Sequence, residues 1–212
     1  MGTRIGRHEG SFVTQPGSTP QPVLSPGCLS TLEQPRLSVG ELTLRPWLQS
    51  DAAVLVRAYA DPDIHRWHAR SMTSADAESW IDHELDRWGR ERGGSWAITR
   101  DDVLVGRIGI GGVSLEEARA GVTYWVLPEA RGRGVAFRAV GTVADWAFDA
   151  LGFHRLELDH STQNPASCRV AVKAGFVPEG TLRGRAMHLD GWHDMHMHGL
   201  LADDARPGKP HA

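Results

Sequence analysis

The sequence feature that most constrains the fold is a glycine-rich turn, Arg131-Gly132-Arg133-Gly134-Val135-Ala136. It follows a strand-like run that ends at Pro128 and precedes an amphipathic helix that reaches Leu151. Two glycines permit tight backbone curvature, so several N–H groups can point into one concave space. The start of the helix adds unpaired N–H groups and a positive dipole end. The turn therefore predicts a phosphate-binding cradle in a fold that contains both strands and helices.

Other phosphate-binding motifs do not fit this turn. The dinucleotide pattern GxGxxG requires a third glycine at position 137, which is Phe137. The P-loop pattern, GxxxxGK followed by Ser or Thr, does not match either. A second interpretation stays open, in which the turn is an ordinary glycine-rich connection with two solvated arginines.

The rest of the chain alternates between strand and helix patterns. Runs with a period of two, such as residues 41–45, are separated by apolar stripes at helical spacing, such as that from Ala77 to Trp88. The order β-α-α-β-β-β-α-β-α-β-β predicts a mixed α/β domain over residues 39–202. Residues 1–38 are rich in proline and glycine and have no apolar period, which predicts a disordered extension. Residues 203–212 are predicted to be a polar tail.

The composition argues against several classes of partner. Lys and Arg total 23 and Asp and Glu total 26, a formal net charge of −3, so neither nucleic acid nor a membrane is an expected partner. No apolar run approaches the roughly 20 residues that span a bilayer. Cys28 and Cys168 lie outside any CxxC pair, so we expect no disulfide scaffold and a cytoplasmic location.

Four motifs, in order along the chain, resemble those of the GNAT N-acyltransferases, in particular the RimJ/RimL-like protein N-acetyltransferases. Arg131-x-x-Gly134-x-Ala136 is similar to the acyl-CoA loop of that superfamily, R/Q-x-x-G-x-G/A. The other matching segments lie around this loop, at residues 124–128, 164–169 with 173–176, and 179–183. The resemblance covers about residues 40–202, nearly the whole predicted domain.

The resemblance implies the GNAT fold, an α/β (α+β) domain with a mixed, mostly antiparallel sheet of six to seven strands. Two central strands would splay apart, and about four helices would flank the sheet. The implied activity is transfer of an acetyl group from acetyl-CoA, or a succinyl group from succinyl-CoA, to a primary amine by direct attack in a ternary complex. The acceptor would be a protein N-terminus or a small-molecule amine, and a homodimer is a further expectation.

The resemblance also implies where acyl-CoA would bind. The backbone N–H groups of residues 132–136 would hold the pyrophosphate, with Arg131 and Arg133 near its phosphates. The strand segment Trp125-Val126-Leu127 would pair with the amide-rich pantetheine arm, because splayed strands leave backbone groups unpaired.

Two polar residues at the start of the next helix would complete the donor site. Asn164 would hydrogen-bond the pantetheine arm, and Ser167 would lie near the thioester sulfur, where its hydroxyl could donate a proton to the leaving thiolate. The alternative interpretation is a helix N-cap for Asn164 and an ordinary first-turn hydroxyl for Ser167.

The sequence departs from the family where a general base is expected. Related chains often carry a glutamate at the position of Gly121. On a strand, Asp194, His196 and His198 share one face, and either histidine could act as the base or relay. The alternatives are that these histidines pack or face water, and that the protein is a catalytically weak CoA-binding regulatory module.

Two further groups of residues could form a metal site or an acceptor pocket. His196 and His198 with Asp194 fall short of a full zinc ligand set, so no metal is expected, and Cys168 is interpreted as a core residue. The second cluster lies between the first two predicted helices and would either line the acceptor pocket or pack in the core: His65, Trp67 and His68.

Overall fold

The computed structural model of the protein describes residues 21–208. The first part of the predicted extension and the end of the predicted tail lie outside these residues. The strands are β1 Leu37–Val39, β2 Leu42–Arg45, β3 Gly93–Arg100, β4 Val103–Ser114, β5 Arg119–Val126, β6 Arg155–Ser161, β7 Val177–His188 and β8 Gly191–Leu201. The α-helices are α1 Ala52–Ala60, α2 Pro62–His68, α3 Ser74–Gly89, α4 Val135–Leu151 and α5 Pro165–Lys173.

The strands form one sheet in the order β1-β2-β3-β4-β5-β6-β8-β7. Every neighbouring pair is antiparallel except β5 and β6, which run parallel. These two pair only between residues 119–121 and 155–157, so the remainder of β5 and β6 splays apart at the centre of the sheet. The predicted fold class is therefore confirmed, including the splayed central pair.

The described residues contain one strand and one helix more than the sequence predicts. The extra strand, β1, begins within the predicted extension and pairs with β2. The extra helix, α2, is capped by Asp61, whose side chain accepts a hydrogen bond from the backbone N–H of Ile64. No helix among residues 21–208 is long and apolar enough to cross a membrane.

Alternate residues of β5 separate two apolar cores on opposite faces of the sheet. Val122 packs in a core with Val140 of α4, whereas Trp125 packs with Leu55 of α1 and Ile81 of α3. Thus α4 and α5 cover one face, and α1, α2 and α3 cover the other. The central splay opens between these two layers.

The domain begins earlier than the predicted boundary at residue 39. Leu24 and Leu29 are 5% and 0% exposed and belong to the core that α4 covers. The carboxylate of Glu91 accepts hydrogen bonds from the backbone N–H groups of Gly27 and Leu29 at 2.8 and 2.9 Å. Residues 21–38 are therefore packed against the domain, because two leucines are enough to anchor a segment that has no periodic pattern.

The predicted tail also contacts the domain where it is described. The Arg206 guanidinium lies 3.3 Å from Asp149 and 3.6 Å from Asp145, both in α4. The described part of the tail thus contacts the surface of α4 through a charged side chain.

Candidate active site

The glycine-rich turn has the backbone geometry that a phosphate cradle requires. Gly132 and Gly134 have φ angles of +74° and +73°, a region that residues with a side chain rarely adopt. Helix α4 begins immediately after Gly134. A Cβ added at either glycine would meet no atom within 4 Å, so open space lies beside both. Among the hydrogen bonds of residues 21–208, none uses the N–H groups of residues 132–136.

The structure gives Arg131 a different role from the predicted phosphate contact. Its Nε donates to the carbonyl of Val126 at 3.0 Å, and its guanidinium pairs with Asp63 at 2.6 Å and Asp61 at 2.8 Å. Arg131 therefore connects the turn to the start of α2. Arg133 is exposed and forms no ion pair within the described part of the chain, so it is the arginine that a phosphate could reach.

The end of β5 is only partly available to a ligand. The Leu127 N–H already donates to Val105 of β4 at 2.9 Å, and the Val126 carbonyl already accepts from Arg131. Trp125 is 3% exposed, and its indole N–H donates to the Tyr59 hydroxyl at 3.3 Å. Of these three predicted residues, Trp125 thus supports the strand through its side chain, and any ligand contact would come from backbone.

The predicted Ser167 of α5 contacts a tyrosine of β5 through their side-chain hydroxyls. The Tyr124 hydroxyl lies 2.8 Å from Ser167 Oγ. Burial raises the pKa of Tyr124 to about 12, although the hydrogen bond with Ser167 acts the other way, so the phenol is protonated near neutral pH. Asn164 caps α5 by accepting from the Ser167 N–H at 3.1 Å. The cap places the Ser167 hydroxyl beside β5.

The two predicted base residues lie beneath α5. His198 is 1% exposed and stacks on His160 with ring centroids 5.0 Å apart. His196 is half-buried on the same face, 5.3 Å from His160 between ring centroids. The burial of His198 leaves it poorly placed to take a proton from an incoming amine.

A second imidazole group lines the opposite face, between α2 and the strands β7 and β8. The ring centroid of Trp67 lies 5.8 Å from that of His188 and 6.2 Å from that of His193. His68 joins this group, and burial together with the charge of Arg107 lowers its pKa to about 4. We call this the imidazole cleft, defined by Trp67, His68, His188 and His193. Two of the three pocket residues expected from the sequence, Trp67 and His68, are therefore brought together here.

A chain of three side chains runs from this cleft to the surface. Ser161 Oγ lies 2.7 Å from His193 Nδ1, and His193 Nε2 lies 2.8 Å from Asp190 Oδ1. Ser161 is 2% exposed, whereas 45% of the Asp190 side chain is exposed. Hydrogen bonds thus connect a buried hydroxyl on the splayed part of β6 to a solvent-exposed carboxylate.

Sequence reasoning missed several of these residues. Tyr124 stands out in the sequence only as part of a motif, and its alternating position in β5 is the signal that could have placed it against α5. Ser161 and Asp190 carry no pattern that indicates function. Ser161 meets His193 through the pairing of β6 with β8, which strand periodicity does not specify. Asp190 lies three residues before His193, in the turn between β7 and β8.

Comparison with known proteins identifies a family. Residues 41–177 match the family described as Acetyltransferase (GNAT) domain. The chain is 31% identical over 153 residues to YoaA, an uncharacterized N-acetyltransferase of Bacillus subtilis, and the match covers 70% of this chain and 86% of the relative.

Solved structures with the same fold include enzymes bound to CoA or acetyl-CoA. RimJ of Mycobacterium smegmatis, in complex with CoA-disulfide, is similar with a TM-score of 0.71 and 26% identity, over 79% of this chain and 86% of that one. The microcin C7 self-immunity acetyltransferase MccE, in complex with acetyl-CoA and AMP, has a TM-score of 0.71 at 18% identity, over 77% and 93% of the two chains. The likeness to MccE shows the fold alone.

Proposed function

The chain belongs to the GNAT acetyltransferase family, and from that premise we propose that it transfers the acetyl group of acetyl-CoA to a primary amine by direct attack. The observation that carries the proposal is the turn at residues 132–136, at the start of α4. Its N–H groups have no hydrogen-bond partner among residues 21–208, and open space lies beside Gly132 and Gly134. A diphosphate held there would direct the pantetheine arm between β5 and β6. The thioester would then reach the Tyr124–Ser167 pair.

Substitution of Gly134 tests this cradle. We expect Gly134→Val to raise the CoA dissociation constant at least about tenfold, or ~1.4 kcal/mol. The reason is twofold: valine strains a backbone with φ of +73°, and its side chain enters the open space assigned to the pyrophosphate. Isothermal titration calorimetry with CoA measures the change.

Two variants separate these causes. Gly141 lies within α4, its φ is not positive, and a Cβ added there meets no atom within 4 Å. Gly141→Val should therefore keep the wild-type affinity for CoA. Gly134→Asn tolerates the left-handed backbone and should fold even where valine does not, while its side chain still crowds the diphosphate. Wild-type CoA affinity in both Gly134 variants would contradict the cradle.

The Tyr124–Ser167 pair is proposed to serve the departing thiolate. As the amine nitrogen forms its bond to the carbonyl carbon, the C–S bond breaks and the sulfur gains negative charge. Ser167 can donate a hydrogen bond to that sulfur while its oxygen accepts one from the Tyr124 hydroxyl, 2.8 Å away. Tyr124 is protonated near neutral pH, so the donor end of this pair is supplied.

The imidazole cleft is proposed to hold the acceptor. The amine must lose a proton to attack, and the Ser161–His193–Asp190 chain offers a route for it. The proton would pass through the Ser161 hydroxyl to His193 Nδ1, and Asp190 would stabilise the resulting imidazolium. This route would serve in place of the glutamate that related chains often carry at the position of Gly121. It also replaces His198 as the proposed acceptor of the proton.

The pH dependence of kcat/KM tests this route. A general base must be unprotonated to accept the proton of the amine, so the wild-type kcat/KM should rise with pH through one acid limb. His68 is already neutral above about pH 4 and does not produce this limb. In His193→Gln we expect the limb to vanish, whereas His196→Gln should keep it.

Asp190→Asn gives a signed check on the same route. Asparagine cannot stabilise the imidazolium as the carboxylate does, so kcat/KM at neutral pH should fall. An unchanged profile in both His193→Gln and Asp190→Asn would show that the amine loses its proton elsewhere, with His196 as the next assignment.

The proposal includes two acceptor classes. The motif resemblance to RimJ/RimL-like protein N-acetyltransferases favours a protein N-terminus, and a small-molecule amine is the second class. Succinyl-CoA is the alternative donor, with Arg183, Arg185 or one of the histidines as the cation for its distal carboxylate. The competing function, a CoA-binding regulatory module, is favoured by Gly121 alone.

One assay decides between enzyme and module. The full chain is incubated with acetyl-CoA and a panel of N-terminal peptides, polyamines and aminoacyl nucleotides, and free thiol release is followed, with succinyl-CoA as a matched donor. Release with any amine supports the enzyme. Calorimetric CoA binding without release across the panel supports the module.

A further inference from the structure

Three donor side chains meet beneath α5, on the face of the sheet opposite the imidazole cleft. His160 of β6, Cys168 of α5 and His198 of β8 each place one donor atom within 4.8 Å of the other two. His160 and His198 are 5% and 1% exposed. Two imidazoles and a thiol, which we call the His160–Cys168–His198 cluster, therefore lie close together, with the thiol half-buried and both imidazoles buried.

The histidines of this cluster have nitrogen atoms that nothing in residues 21–208 engages. His160 Nδ1 lies 2.8 Å from the Ser161 carbonyl, which can only accept, so Nδ1 carries the hydrogen and Nε2 is a bare lone pair. Within the described chain, His160 Nε2 and His198 Nδ1 are both buried without a hydrogen-bond partner. Unpaired buried polar atoms are rare because they cost folding free energy.

The hydrogen bond of His160 also fixes the orientation of its ring. A ring fixed by an Nδ1–H bond to a backbone carbonyl is the usual orientation of a metal-bound histidine.

We propose that His160, Cys168 and His198 form a binding site for a single Zn²⁺ ion. Two imidazole nitrogens and a thiolate suit this borderline-soft cation, and a fourth position would be left for water. Zinc bonds of about 2.0–2.3 Å would draw the three donors to about 3.5 Å from one another, a movement of about 1 Å from the present separation.

This site differs from the incomplete ligand set that the strand spacing places on one face of β8. That set combines His196 and His198 with Asp194, whereas the three donors that converge come from β6, α5 and β8. A bound ion would tie the first turn of α5 to the sheet. It would thereby hold Ser167, the neighbour of Cys168, against β5. The inference is independent of acetyl transfer, and its test does not use activity.

The test is a Co²⁺ titration of the tag-free full chain, after treatment with a chelator. Co²⁺ substitutes for Zn²⁺ and reports its ligands by absorption. We expect one equivalent to bind with a thiolate-to-cobalt charge-transfer band and tetrahedral d–d bands, and Zn²⁺ to displace it. Equimolar Zn²⁺ should also raise the melting temperature, because the ion binds only the folded chain.

Matched variants locate the site. Cys168→Ser should lose the charge-transfer band and weaken metal binding at least about 100-fold, since removal of an outer-shell partner alone costs about 10–100-fold. Cys28→Ser changes the other free cysteine, outside the cluster, and should bind as the wild type does. His160→Gln should weaken binding, whereas His83→Gln, which changes an exposed residue of α3, should not. A wild-type chain without the charge-transfer band, or a Cys168→Ser variant with it, overturns the proposal.

Discussion

Replacing Ser167 with alanine is expected to lower kcat about 100-fold while KM for acetyl-CoA changes less than about twofold. The hydroxyl acts on sulfur charge that develops only in the transition state, so its loss leaves ground-state binding intact. The fold at this point should survive, because Asn164 caps α5 through the Ser167 backbone N–H, which alanine retains. Steady-state kinetics with the best amine from the panel measures both constants.

The hydrogen bond with Tyr124 provides a matched comparison. Tyr124→Phe keeps the ring and removes only the hydroxyl that lies 2.8 Å from Ser167 Oγ. If the two hydroxyls act as one unit, the double variant should be little slower than Ser167→Ala, since neighbouring groups in one network are not additive. Wild-type kcat in Ser167→Ala, or a rise in KM alone, would reduce the serine to a binding or capping role.

Replacing Leu29 with alanine is expected to lower the free energy of unfolding by about 3 kcal/mol, within the range for buried leucines. The side chain is 0% exposed in the core under α4, and two backbone N–H groups around it are fixed by Glu91. Deletion of residues 1–38, which the composition of that segment predicts to be harmless, should therefore destabilise the domain. Denaturant unfolding followed by circular dichroism measures the change.

Leu32 is the matched control for this substitution. It lies in the same segment but is 51% exposed, so Leu32→Ala should change the free energy of unfolding by less than about 0.5 kcal/mol. Equal effects at both positions, or none at Leu29, would show that the segment does not contribute to the core in solution.

Features that depend on neighbours in the chain could be predicted from the sequence. The capping box at Thr73 and Asp76, the cap at Asn164 and the turn at Gly132 and Gly134 all appear in the structure. Each is decided within three or four residues, by a side chain and the backbone it can reach or by a φ angle that glycine alone adopts readily. The match of residues 41–177 to the GNAT family confirms the motif resemblance for the same reason.

Packing of the early segment could not be predicted in this way. Leu24 and Leu29 belong to no periodic pattern, so nothing local distinguishes them from leucines in a disordered extension. Their burial depends on a surface that α4, β3 and Glu91 create together. That surface exists only once distant parts of the chain have assembled.

The sequence by itself determined the family, the order of the strands and helices apart from β1 and α2, and the turn that would hold a diphosphate, because short motifs and periodicities encode these. Only the tertiary structure decided which polar side chains meet. Arg131 pairs with Asp61 and Asp63 instead of facing the turn, and His198 stacks on His160 instead of opening to an acceptor. The physical reason is strand order: β6 lies between β5 and β8, so residues far apart in the chain become neighbours, and spacing along a sequence carries no record of that pairing.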